Sequence, residues 1–154
     1  MLERGIEKAH LLGFSDGGNV ALCFALQYPE MVEKLVLNGA NLDPGGVKWH
    51  IQFPIEMGYH IAKLFAGRSA EAKAHAELLG LMVNEPKIDP SMLCALTMPV
   101  LVIAGTRDMI RQKHTEQIAA SIPNAVLVWI EGDHFIANKN DLAFNRAVEK
   151  FLKS

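Results

Sequence analysis

Short, unbroken apolar runs alternate with longer amphipathic stretches along this chain. The runs are Ala9-His10-Leu11-Leu12, Leu35-Val36-Leu37 within 33–38, Pro99 to Ala104, and Ala125 to Ile130. Runs that are apolar on both faces are the pattern of strands buried in a parallel sheet. Helical periodicity fills the gaps between them. A helix is predicted from about 17 to 28, with Val20, Leu22, Phe24 and Leu26 making it apolar nearly all round. Such a helix should be buried, and Pro29 should end it. Further helices are predicted at about 111–121 and 141–152, the last capped by Asn140. Met1 to Arg4 reads as the tail of a helix with Gly5 at its C′ position. Strands alternating with helices of this length imply right-handed crossovers and an α/β fold.

The segment from 44 to 96 breaks the alternation. It has helical periodicity without strand signals, with interruptions expected at Pro54, Gly67 and Glu85-Pro86. Ser69 can cap a helix from 70 to 83, and Asp89-Pro90 pairs an N-cap with a proline at the first helical position.

The chemistry concentrates at strand ends. Gly13-Phe14-Ser15-Asp16-Gly17-Gly18 follows the first strand and fits G-x-S-x-G, a serine on a sharp strand-to-helix turn. Glycines flank such a serine because larger side chains would meet the returning backbone. The turn also aims the Asp16 N–H at the place where an oxyanion would form. By itself the motif also fits a plain glycine turn. A phosphate-cradling loop would need G-x-G-x-x-G or G-x-x-x-x-G-K-[ST], and neither occurs. Behind the third strand stands Thr106-Arg107-Asp108, and behind the fourth Glu131-Gly132-Asp133-His134-Phe135. Serine, acid and histidine thus follow strands in the order Ser, Asp, His.

This order, with LLGFSDGG, VEKLVLNGA, MPVLVIAGTRD and EGDHF, resembles the α/β-hydrolase family from its nucleophile elbow onward. The resemblance implies a partial α/β-hydrolase fold: a short parallel sheet of about four strands, flanking helices and a small helical cap. It implies one domain over 1–154, with the cap at 44–96. Ser15 would be the nucleophile, His134 its base, Asp108 the acid that orients His134, and the Asp16 N–H an oxyanion-hole donor. Asp133 competes with Asp108, but its side chain should diverge from its neighbour His134. Asp16 occupies the variable position of the elbow. His10, His50, His60, His75 and His114 read as structural or solvated. Phe53, Met57, Tyr59, Phe65 and Met82 are candidate pocket walls in the cap.

The implied activity is a cofactor-independent serine hydrolase acting on a small ester or related acyl substrate. Relatives of the pattern also cleave amides, thioesters or carbon–carbon bonds, or act as perhydrolases. The chain departs from the family in that several strands and a second oxyanion-donor loop precede the elbow there. Two alternatives follow: a catalytically impaired fragment that has lost its N-terminal half, or an assembly module. In the latter, apolar residues 9–12 form an open sheet edge that invites a homo-oligomer. Phosphate binding at the helix after Gly17 has only generic support.

Composition narrows the partners. The chain has 154 residues, 50% of them hydrophobic and 21% charged, enough for one core and not two. A net charge of −2 gives no electrostatic case for nucleic acid or an anionic membrane. No apolar run reaches membrane-spanning length and no signal-peptide pattern is present. Cys23 and Cys94 are expected to be buried and inert, and a cytoplasmic setting is the default. No metal-ligand spacing or cofactor motif occurs.

Overall fold

Four strands pair in parallel in the order β1-β2-β3-β4: β1 Ala9–Phe14, β2 Val32–Asn38, β3 Val100–Gly105 and β4 Ala125–Ile130. This computed structural model describes residues 2–154. The expected helix tail falls partly outside them, at Met1, and the described part, Leu2–Arg4, is a 3₁₀ turn. Gly5 follows it at φ +66°, the left-handed conformation expected of it. Helix α1 (Asp16–Gln27) links β1 to β2, and α2 (Trp49–Phe65) and α3 (Ala70–Asn84) form a hairpin between β2 and β3. Helix α4 (Gln112–Ser121) links β3 to β4, and α5 (Ile136–Lys139) and α6 (Asp141–Lys153) close the order.

The two sheet faces bury separate cores. Leu35, Leu37, Val100 and Val102 pack with Leu22 and Ala25 of α1 and Ile118 of α4. Val36, Leu101 and Ile103 pack with Ile136, Phe144 and Phe151 on the opposite side. β3 is buried along its whole length, as its unbroken apolar run requires. The register places Phe14 beside Asn38, Asn38 beside Ile103, and Gly105 beside Ile130. The residues that follow all four strands therefore emerge along one rim.

Four expectations need correction. Helix α1 is not buried all round: Gly18, Asn19, Leu22 and Ala25 face inward, while Val20 is 69% exposed. It lies against the sheet on one side only. Cys23, on its outer face, and Cys94 are both free and exposed, not buried. Helix α2 continues through Pro54, which falls in its second turn. There proline removes one ladder bond, to the His50 carbonyl, without ending the helix. Asn140 does not cap α6 with its side chain; its Nδ2 donates to the Glu131 carbonyl at 3.1 Å. The caps at Ser69 and Asp89 form as expected, accepting from Ala72 N–H at 3.0 Å and Ser91 N–H at 2.8 Å.

The one-sided burial of α1 makes a direct prediction. Leu22→Ala should lower stability by about 2–5 kcal/mol in urea unfolding. Val20→Lys should change it by no more than about 0.5 kcal/mol. Similar losses from both substitutions would contradict this placement of the helix.

Candidate active site

Ser15 sits between β1 and α1 at φ 53°, ψ −123°, the sole positive φ outside glycine among the described residues. A side chain held there is strained, and such strain persists only where the surroundings enforce it. The enforcement is visible. Ser15 N–H donates to the Asn38 carbonyl at 2.8 Å, and the Ser15 carbonyl accepts from Gly18 and Asn19 N–H at 2.8 and 3.1 Å. A Cβ on Gly13 would collide with the Gly17 carbonyl, and one on Gly18 would lie 3.0 Å from Ala40 Cβ. The Gly13 contact explains the first glycine of the motif, but a Cβ on Gly17 would meet open space, so steric exclusion does not account for the second. The Asp16 N–H opens α1 and has no hydrogen-bond partner among the described residues.

His134 and Asp108 meet directly. His134 Nδ1 lies 2.8 Å from Asp108 Oδ1, with the two residues only 5% and 2% exposed. Asp108 Oδ1 also accepts the Ile110 N–H at 2.9 Å, which fixes the carboxylate from its own loop. A buried carboxylate is stable only when so paired. The turn before His134 crosses close over β3: a Cβ on Gly105 would collide with the Asp133 carbonyl. Gly39, at φ +62°, lies beneath the imidazole, where a Cβ would fall 2.7 Å from His134 Cε1 and 2.9 Å from Nδ1. Phe14 packs against the same ring at a 40° tilt, with centroids 4.8 Å apart.

Ser15 is thus tied to His134 through both of its flanks, Phe14 along the chain and the Asn38–Gly39 turn across the strand pair. No hydrogen bond joins the Ser15 and His134 side chains among the described residues. In enzymes without ligand that bond is often long, and it tightens only in complexes.

The competing residues turn elsewhere. Asp133 accepts the Phe135 N–H at 2.9 Å and pairs with Lys139, which with that hydrogen bond holds its carboxyl below the usual range. His10 lies 3.7 Å from Glu33 near the opposite end of β1. His114 is buried and accepts the Leu42 N–H at Nε2, 2.9 Å away.

A cavity of about 260 Å³ opens beside Asp108 and His134, with Lys48, His50, Ile51 and Met109 among its walls. None of the five expected wall residues lines it. Phe53 lines a neighbouring hollow with Trp49 and Gln52. The real walls come from the start of α2, which a Val47–Ile110 bridge and a Lys48 N–H bond to the Met109 carbonyl (2.9 Å) pull toward Asp108. That long-range docking leaves no local sequence signal. Among the described residues no group of three His, Cys, Asp or Glu side chains could hold a metal ion. Among the described residues no helix is long and apolar enough to cross a membrane.

The α/β-hydrolase fold family matches residues 1–82. The chain belongs to that family. Within it, a 2-hydroxy-6-oxononadienedioate/2-hydroxy-6-oxononatrienedioate hydrolase of Comamonas testosteroni is 60% identical over 91 residues, covering 58% of this chain and 28% of that enzyme. A 2-hydroxy-6-oxo-6-phenylhexa-2,4-dienoate hydrolase of Burkholderia cepacia is 41% identical over 91 residues, 28% of its length. Among solved structures, a hydrolase from Pseudomonas aeruginosa PA01 superposes with a TM-score of 0.72 at 25% identity, over 99% of this chain and 67% of that one. The meta-cleavage product hydrolase of Pseudomonas fluorescens IP01 shares the fold at a TM-score of 0.70 and 24% identity, over 97% and 66%. The alignments with these two curated relatives span under a third of each enzyme's length, and the structural matches span about two thirds of each solved chain.

Two predictions test the local packing. Gly39→Ala should break the His134–Asp108 hydrogen bond, read as loss of the bonded Nδ1 proton resonance in NMR. Retention of that resonance would show the turn is not packed on the ring. The second concerns His114, whose ring burial holds below its ordinary value near 6.5, with Asp43 opposing and Arg111 assisting. The folded state favours neutral His114, so this stabilisation is present above that value and is lost as pH falls through the lowered one. Thermal melts between about pH 5 and 7 should therefore lose part of their acid sensitivity in His114→Gln.

Proposed function

We propose that this chain carries the hydrolytic site of a serine-dependent α/β hydrolase, with Ser15 as nucleophile, His134 as its base and Asp108 as the orienting acid. The observation that carries the reading is the buried His134 Nδ1–Asp108 Oδ1 contact of 2.8 Å, on the same rim as the strained Ser15 turn. Asp108 holds the tautomer that leaves His134 Nε2 free to take the Ser15 proton and stabilises the imidazolium that results. The serine oxygen then attacks a carbonyl carbon, and the Asp16 N–H donates to the developing oxyanion. We assign segment 44–96 the role of a cap over this rim.

The substrate we favour is a carboxylate-bearing ketone of the kind the relatives' names describe, with small esters as the wider class. A 2-hydroxy-6-oxo-dienoate contains no ester or amide, so its hydrolysis must break a carbon–carbon bond beside the ketone. Attack by Ser15 on that ketone would form an acyl-serine as the adjacent carbon leaves with the bonding pair and takes the proton from His134. Water, deprotonated by His134, would then release the second product as a carboxylic acid and restore the serine. The charges around the cavity suit such a substrate. Asp108 pairs with His134, Asp133 with Lys139 and Glu131 with Arg107, which leaves the Lys48 ammonium without an ion-pair partner among the described residues. The free, exposed thiols of Cys23 and Cys94 fit a reducing, cytoplasmic setting.

An assembly role is favoured by one observation. β1 lies at the sheet edge with Leu12 52% exposed, so a second copy could pair there. Sedimentation should show association that Leu12→Lys weakens; a monomer at micromolar concentration would remove this reading.

The catalytic reading is tested by fluorophosphonate labelling read by intact mass. The unmodified chain should gain one adduct and Ser15→Ala none, while His134→Ala should slow labelling by about 10⁶-fold. Labelling that survives Ser15→Ala would refute the assignment. Lys48→Met should raise KM for a carboxylate-bearing substrate about tenfold, the worth of one charge-assisted hydrogen bond.

A further inference from the structure

The turn that carries Gly39 beneath His134 is gripped from two sides by buried polar groups that take no part in the proposed chemistry. On one side is Asn19, in the first turns of α1 after Ser15. Its Oδ1 accepts the Asn41 N–H at 2.9 Å, and its Nδ2 donates to Asn41 Oδ1 at 3.0 Å. Asn41 Nδ2 in turn donates to the Asp43 carbonyl at 2.8 Å, which stiffens the loop itself. On the other side is His114 of α4, whose Nε2 accepts the Leu42 N–H at 2.9 Å. Gly46 packs on that ring, where a Cβ would fall 2.6 Å from Nε2, and the Gly46 carbonyl accepts the Arg111 N–H at 2.8 Å.

These contacts join three segments: the helix leaving Ser15, the 39–46 loop, and the stretch running from Asp108 into α4. All three side chains are buried, so none of the bonds can be exchanged freely for bonds to water. The last link is steric. Gly39 approaches the His134 ring so closely that movement of the loop must move the imidazole or open a gap under it.

We propose that Asn19, Asn41 and His114 are positioning residues for the hydrolytic reaction. Acting through Gly39, they fix the His134–Asp108 pair relative to Ser15. The proposal rests on the catalytic reading given above for its consequence in rate, but its geometric content stands apart. It requires His114 to present an unprotonated Nε2, with the proton on Nδ1. Burial favours that neutral form.

The test compares His114→Phe, which keeps a ring against Gly46 but removes the acceptor, with His114→Gln, whose Oε1 can accept near the position of Nε2. Two readouts are taken on the full chain: the rate of Ser15 fluorophosphonate labelling, and the bonded Nδ1 proton resonance of His134. Folded His114→Phe should label about 10–100-fold more slowly and shift or lose the resonance, because misplacement by about 1 Å is enough for such a loss. His114→Gln should restore both. If His114→Phe melts like the parent, labels at the parent rate and keeps the resonance, the proposal is overturned. Should His114→Phe fail to fold, Asn19→Ala is read in the same way from the other side of the loop. Should the parent Ser15 not react at all, the catalytic reading fails, and the resonance alone decides: a change in the variant supports positioning, and an unchanged signal overturns it.

Discussion

Parallel pairing in register is the constraint on which the site depends. Because Phe14, Asn38, Ile103 and Gly105 are locked through consecutive strand pairs, the segments that follow them have no freedom to drift along the sheet. The apolar runs that bury both sheet faces are also what hold this register, so core and site share one cause. Ser15 is donated to the rim by β1, Asp108 by β3 and His134 by β4. β2 supplies none of the three proposed reacting groups, yet its Gly39 turn packs beneath His134 and beside Asp108.

Close packing then converts register into orientation. Gly13, Gly39 and Gly105 each admit another segment where a methyl group could not fit, and each sits at the end of a strand. The polar groups at this crowded rim are paired in turn. Asp108 is held by His134 and its own loop, and the neighbouring turn by Asn19, Asn41 and His114. In a buried setting an unpaired carboxylate or amide would be expensive, so the network and the packing select the same arrangement. Asn38, Gln52 and the Thr115 hydroxyl are the exceptions, buried with no hydrogen-bond partner among the described residues.

Much of this was legible in the sequence because its signals are local. An apolar run such as Ala125–Ile130 matches its strand residue for residue, and Ser69 and Asp89 announce caps that form. The elbow could be read because the serine's φ and the close glycine contacts belong to one short segment. What stayed hidden depends on distant partners. Val20 and Cys23 were expected inside because composition cannot say which side of a helix meets the sheet. Pro54 was expected to interrupt a helix whose start, at Trp49, is set by docking against Met109 and Ile110. The same docking brings Lys48 and His50 to the cavity, and no spacing in the sequence foretells it.

Ser15, His134 and Asp108 should act as one unit at this rim. A crystal structure of the chain after reaction with a phosphonate ester tests this most directly. Phosphorus should be bonded to Ser15 Oγ, with a phosphoryl oxygen accepting the Asp16 N–H and His134 Nε2 within about 2.6–3.2 Å of Ser15 Oγ. Phosphorus on another side chain, or an imidazole turned away from a phosphonylated Ser15, would contradict it.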